Sequence, residues 1–124
     1  MNPTIRHITI DCTGDPYDLA RFWSALLGRP LADDDKPGDP EALIADPEGG
    51  PSLLFVHGGE GKAAKNRLHL DLWPTGRTRA EEVARAIGPG ARRLADHTRP
   101  DGKGWVTLAD PEGNEFCMER GELR

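Results

Sequence analysis

Between Asn66 and Trp73 the chain alternates strictly, with Leu68, Leu70 and Leu72 on one side and Arg67, His69, Asp71 and Trp73 on the other. This period of two predicts a strand with one face on a core. The same pattern predicts a first strand at 5–12, with Ile8, Ile10 and Cys12 opposite His7, Thr9 and Asp11. Further strands are predicted at 41–46, 52–57, 92–98, 105–109 and 114–120, and residues 31–33 could form a short one. Two stretches instead carry the helical period. The first starts on Asp15 as N-cap with Pro16 behind it, runs through Leu19, Phe22, Trp23, Leu26 and Leu27, and stops at Gly28. The second opens on Thr78 and Glu81, a capping-box spacing, and continues through Ala80, Val83, Ala84 and Ile87 to Gly88-Pro89-Gly90.

The element order repeats. Each half runs strand, capped helix, two strands, a D-P-E-G turn and a last strand, and the two turns, at 46–49 and 110–113, lie 64 residues apart. The expected architecture is one α+β domain of two tandem β-α-β-β-β modules, 1–60 and 65–124. They would form a curved mixed sheet with the helices on its convex face and a central cavity. Because the helix stripes need apolar partners, the concave face is expected to receive His7, Thr9, Asp11, His69, Asp71, Trp73, Cys117 and Glu119. Trp105 and Phe55 are placed on that inward side too, where aromatic rings would suit flat or apolar molecules. Core packing is the plainer alternative for each ring.

Charge narrows the partners. Sixteen basic against 21 acidic side chains leave a net charge of −5, with no basic run, so neither nucleic acid nor an anionic membrane is expected. No apolar segment approaches the roughly 18 residues of a membrane span, and the first residues lack a signal peptide's apolar core, so a cytoplasmic setting is expected. There Cys12 and Cys117 would be free thiols.

The motifs D-P-Y-D-L-A-R-F-W-S-A-L-L-G (15–28), K-N-R-L-H-L-D-L (65–72) and W-V-T-L-A-D-P-E-G-N-E-F-C (105–117) resemble those of the vicinal oxygen chelate superfamily. That group includes glyoxalase I, bleomycin-resistance proteins and extradiol dioxygenases, and the chain looks most like its small bacterial glyoxalase-like domain proteins. The resemblance implies the glyoxalase/bleomycin resistance/dihydroxybiphenyl dioxygenase fold, a small-molecule ligand and a homodimer. In metal-dependent members, four ligands come from the first and last strand of each module. Those positions fall on His7, on His69, and, seven residues after each turn's aspartate, on Leu53 and Cys117.

Two imidazoles and a thiol could hold one divalent metal (Zn, Fe, Mn or Ni); without it no cofactor is expected. Each group also has a plainer reading: the histidines as hydrogen-bond partners of neighbouring strands, Cys117 as a small buried hydrophobe. Glu119 offers an oxygen ligand or a general base, against the ordinary solvated end of a strand. Asp71 could orient His69, but pairing with Arg67, two along on the same face, is the preferred expectation. Leucine at position 53 offers no lone pair. The expected function is therefore a glyoxalase-like pocket for a small aromatic or apolar molecule, with a complete metal site absent. The alternative is a metal-dependent lyase, isomerase or dioxygenase acting on vicinal oxygens.

Overall fold

The computed structural model describes residues 1–123, which divide into two compact units, residues 1–61 and 62–123. Among the described residues the architecture is α+β, with two mixed sheets and two helices. Among the described residues no helix is long and apolar enough to cross a membrane.

Module one contains β1 (His7–Cys12), α1 (Pro16–Leu27), β2 (Glu41–Ile44) and β3 (Ser52–His57), with sheet order β1-β3-β2. Asp15 caps α1 by accepting a 3.0 Å bond from Tyr17 N–H. Gly28 ends it in the left-handed region at φ 67°, a conformation open to a residue without Cβ. Leu19, Phe22, Trp23 and Leu26 are buried as the stripe predicts, and the Phe22 and Trp23 rings meet edge to face at 5.4 Å. Their counterparts are Ala42, Ile44, Leu53 and Phe55 on the sheet. The short strand expected at 31–33 is reduced to one bridge from Leu31 to Ile44. Its ladder role passes in part to a side chain, because Leu43 N–H donates to the Asp35 carboxylate at 2.7 Å.

Module two contains β4 (Leu70–Leu72), α2 (Arg79–Ile87), β5 (Arg92–Asp96), β6 (Trp105–Ala109) and β7 (Glu115–Glu119), in the order β4-β7-β6-β5. The Thr78/Glu81 capping box forms in both directions. The stripe on α2 differs from expectation. Val83 is buried, but Ala86 and Glu82 join it, whereas Ala80, Ala84 and Ile87 are exposed. Glu82 is tolerated inside because Arg85 and Arg77 meet its carboxylate at 2.5 and 3.3 Å. β4 is also shorter than predicted, and Leu68 is 73% exposed. Its partner explains this. β4 pairs in parallel with β7, Leu70 opposite Phe116, and β7 begins at Glu115, so residues before His69 have no backbone to pair with.

The second D-P-E-G turn is wound around Asp110, which is fully buried and accepts from the N–H groups of Glu112 and Asn114 at 2.9 Å each. In module one the chain needs one residue more between turn and strand. Leu53 and Phe55 of β3 are buried against α1, just as Phe116 and Met118 of β7 are buried on the side they share with Leu70 and Leu72. Phe116 lies six residues after its turn's aspartate and Leu53 seven. The count from the turn therefore slips by one, and the module-one position equivalent to Cys117 is Leu54.

Candidate functional site

Registers in the two sheets show which residues share a face. In module one Ile8 lies beside Leu53 and Ile10 beside Phe55, the side covered by α1. The other side carries His7, Thr9, Leu54 and Val56. Phe55, fully buried, thus belongs to the core and not to the inward face expected for it; the extra residue after the first turn reverses its side. Thr9 is exposed on the polar side. His7 shares that side, and among the described residues nothing hydrogen-bonds its buried Nδ1.

In module two Leu70, Leu72, Phe116 and Met118 share the inner side, and Asp71, Cys117, Thr107, Trp105 and Glu119 share the outer one. That outer side lines a cavity of about 840 Å³ together with His69, His97, Leu94, Lys65 and Glu115. Five expected site residues, His69, Asp71, Trp105, Cys117 and Glu119, are therefore brought together. Trp73 is not among them. It lies past the end of β4, before Pro74, and is 57% exposed, so the alternation that would have aimed it inward has ended.

Within the cavity His69 Nε2 lies 3.3 Å from Asp71 Oδ1. Among the described residues Asp71 thus pairs with His69 and not with Arg67. Cys117 is 8% exposed and its Sγ lies 3.6 Å from Thr107 Oγ1. Burial pushes the thiol above its ordinary pKa; the Thr107 hydroxyl opposes this, and the negative charges of Asp71 and Glu119 add to it. One donor atom each from His69, Asp71 and Cys117 lies within 4.8 Å of the others.

Two groups were missing from the sequence expectation. The His97 ring stacks on Trp105 with centroids 4.9 Å apart and planes 29° from parallel. Gly104 permits this approach: at φ 99° it sits where an added Cβ would collide with the His97 carbonyl oxygen. A histidine just past β5, facing the first residue of the antiparallel β6, was the available signal. Glu115 is the second. It meets Lys62 Nζ at 3.0 Å and accepts from Asn66 N–H at 3.4 Å, fastening the segment before β4 to the cavity's edge. Its place in alternation with Cys117 and Glu119 could have flagged it.

The profile of the glyoxalase-like domain family matches residues 7–119. No curated protein matches the sequence. Among solved structures, a glyoxalase/bleomycin resistance protein/dioxygenase family enzyme from Burkholderia phytofirmans superposes with a TM-score of 0.70 at 18% identity, covering 94% of this chain and 97% of that one. The genomically encoded fosfomycin resistance protein FosX from Listeria monocytogenes gives 0.73 at 15% identity, covering 100% and 95%. A FosX variant from the same organism, complexed with Mn(II) and 1S,2S-dihydroxypropylphosphonic acid, gives 0.70 at 16% identity, covering 99% and 94%. Identities this low establish a shared fold, not a shared chemistry.

Proposed function

The chain belongs to the glyoxalase-like domain family, and from that premise we propose that it binds a small, flat, apolar or aromatic molecule in the cavity of module two. The observation that carries this reading is the stacked Trp105–His97 wall, set in a cavity of about 840 Å³ with Leu94 beside it. The stacked rings are the apolar part of a cavity whose remaining lining, Lys65, His69, Asp71, Arg99, Glu115 and Glu119 among it, is polar, so an aromatic molecule with a polar edge suits it. A ring laid on Trp105 gains buried area and stacking at little entropic cost, while Thr107, Asp71 and Glu119 are available to its polar edge. The homodimer implied by the resemblance is carried with the reading.

The four-position metal centre implied by the resemblance does not fit this chain. At the module-one closing position stands Leu54, which has no lone pair to give. The second reading, a metal-assisted lyase, isomerase or dioxygenase, is favoured by one observation, the grouping of His69, Asp71 and Cys117. The Mn(II) in the FosX complex lends it support from outside the chain. A metal there would supply polarisation of a substrate oxygen. Glu119, on the same side as Cys117, would be the proton acceptor.

Tryptophan fluorescence titrations against a panel of flat aromatic compounds test the binding reading. The wild-type chain is expected to quench saturably with at least one compound, and Trp105→Phe to lose most of the signal and up to about tenfold in affinity. No saturable response from the wild type, or unchanged quenching in Trp105→Phe, refutes it.

A further inference from the structure

We propose that module two alone holds a borderline-soft divalent cation of the zinc class on His69, Asp71 and Cys117, in place of the four-strand ligand set that the resemblance implies. The spacing of the first pair supports it. His69 Nε2 and Asp71 Oδ1 stand 3.3 Å apart. Two ligands about 2.0–2.1 Å from one zinc ion, at near-tetrahedral angles, are separated by about 3.3–3.4 Å. The imidazole and carboxylate thus already have the separation of neighbouring ligands on one ion.

Backbone register supplies the third donor. β4 and β7 are adjacent parallel strands with Asp71 directly beside Cys117, and the three donor atoms lie within 4.8 Å. Closing the thiol onto the ion needs at most about 1.3 Å of inward movement, since a zinc-bound nitrogen and sulfur lie roughly 3.5 Å apart. Thr107 Oγ1, 3.6 Å from Sγ, is placed to hydrogen-bond a coordinated thiolate, as outer partners of metal ligands commonly do. Three protein donors leave a coordination position free, and all three residues line the cavity. Asp71 is the substitution that matters: it supplies, inside module two, a donor that Leu54 cannot.

The thiol selects the ion. Sulfur ligands favour zinc, whereas manganese, the ion in the FosX complex, stands lowest in the usual order of divalent affinities. This site does not depend on the flat-ligand reading, because the fluorescence titrations can be run in chelator.

Metal-stripped protein titrated with Co²⁺, a spectroscopic substitute for zinc, tests the site. The expected result is a thiolate-to-cobalt charge-transfer absorption that saturates at one ion per chain, is abolished by Zn²⁺ and survives about a hundredfold excess of Mn²⁺. Cys117→Ser should remove the band. His69→Ala and Asp71→Asn, at exposed positions where the fold is expected to survive, should each weaken binding by roughly tenfold or more. Circular dichroism checks folding, and the two exposed variants decide the matter if Cys117→Ser does not fold. Absence of a saturable charge-transfer band in the wild type, or wild-type affinity in both His69→Ala and Asp71→Asn, overturns the site. Ligand quenching that persists in chelator would then leave the binding reading standing.

Discussion

Replacing Glu115 by Gln and Lys62 by Met, singly and together, would measure how firmly the segment before β4 is fastened to the cavity. The two charges are 3.0 Å apart, and their side chains are 18% and 21% exposed. At an effective permittivity near 20 the gross attraction is about 5 kcal/mol. Desolvation and the ordering of two long side chains remove most of it, and the remainder should fall between the roughly 0–1 kcal/mol of exposed pairs and the 3–5 kcal/mol lost when a buried pair is broken. A coupling of about 1–2 kcal/mol is therefore expected from the double-mutant cycle, read by urea unfolding at pH 7.

The pH dependence has a definite sign. Burial raises the Glu115 pKa, but the hydrogen bonds from Lys62, from its own backbone N–H and from Asn66, with the Lys62 charge, outweigh it, leaving the carboxyl below its ordinary 4.5. A lowered folded-state pKa contributes stability that is present above the unfolded value and lost as pH falls through the folded one. The coupling should hold at pH 7 and fade as pH is taken below 4.5. A coupling under about 0.5 kcal/mol at pH 7, or one unchanged at acid pH, would refute the reasoning.

Two further expectations follow from particular side chains. Phe55→Leu should cost about 1–2 kcal/mol in urea unfolding while leaving flat-ligand affinity unchanged, since Phe55 is fully buried beside Ile10 and outside the cavity; a loss of affinity with no loss of stability would return it to the pocket. Gly104→Ala should destabilise module two by more than about 2 kcal/mol and weaken ligand binding, because the left-handed backbone and the His97 carbonyl both exclude a Cβ; wild-type melting and binding would contradict the role given to that glycine.

Local signals carried far along this chain. Asp15, Pro16 and Gly28 bound α1, Thr78 and Glu81 start α2, and the strands expected at 52–57, from its continuous apolar middle, and at 105–109 coincide with β3 and β6 to the residue. The grouping of His69, Asp71, Cys117 and Glu119 in one cavity also followed from alternation. What failed depended on partners that local patterns do not contain. One residue more after the first turn put Phe55 in the core and moved the ligand-equivalent position to Leu54. The start of β4 was set by where β7 begins, so Leu68 went to solvent and Trp73 left the face. On α2 the buried side includes Glu82, whose acceptability rests on Arg77 and Arg85 and not on hydrophobicity. Asp71 had two plausible partners on one strand face, and only coordinates distinguish His69 from Arg67.

We propose the outer face of the module-two sheet as the ligand site. Its most direct test is amide chemical-shift mapping of the isotope-labelled chain with a flat aromatic ligand that quenches its fluorescence. Shifts are expected at Asp71, His97, Trp105, Thr107 and Cys117, with Leu53 and Phe55 unmoved. Shifts centred on Phe55 and α1, with Trp105 and Cys117 silent, would contradict it.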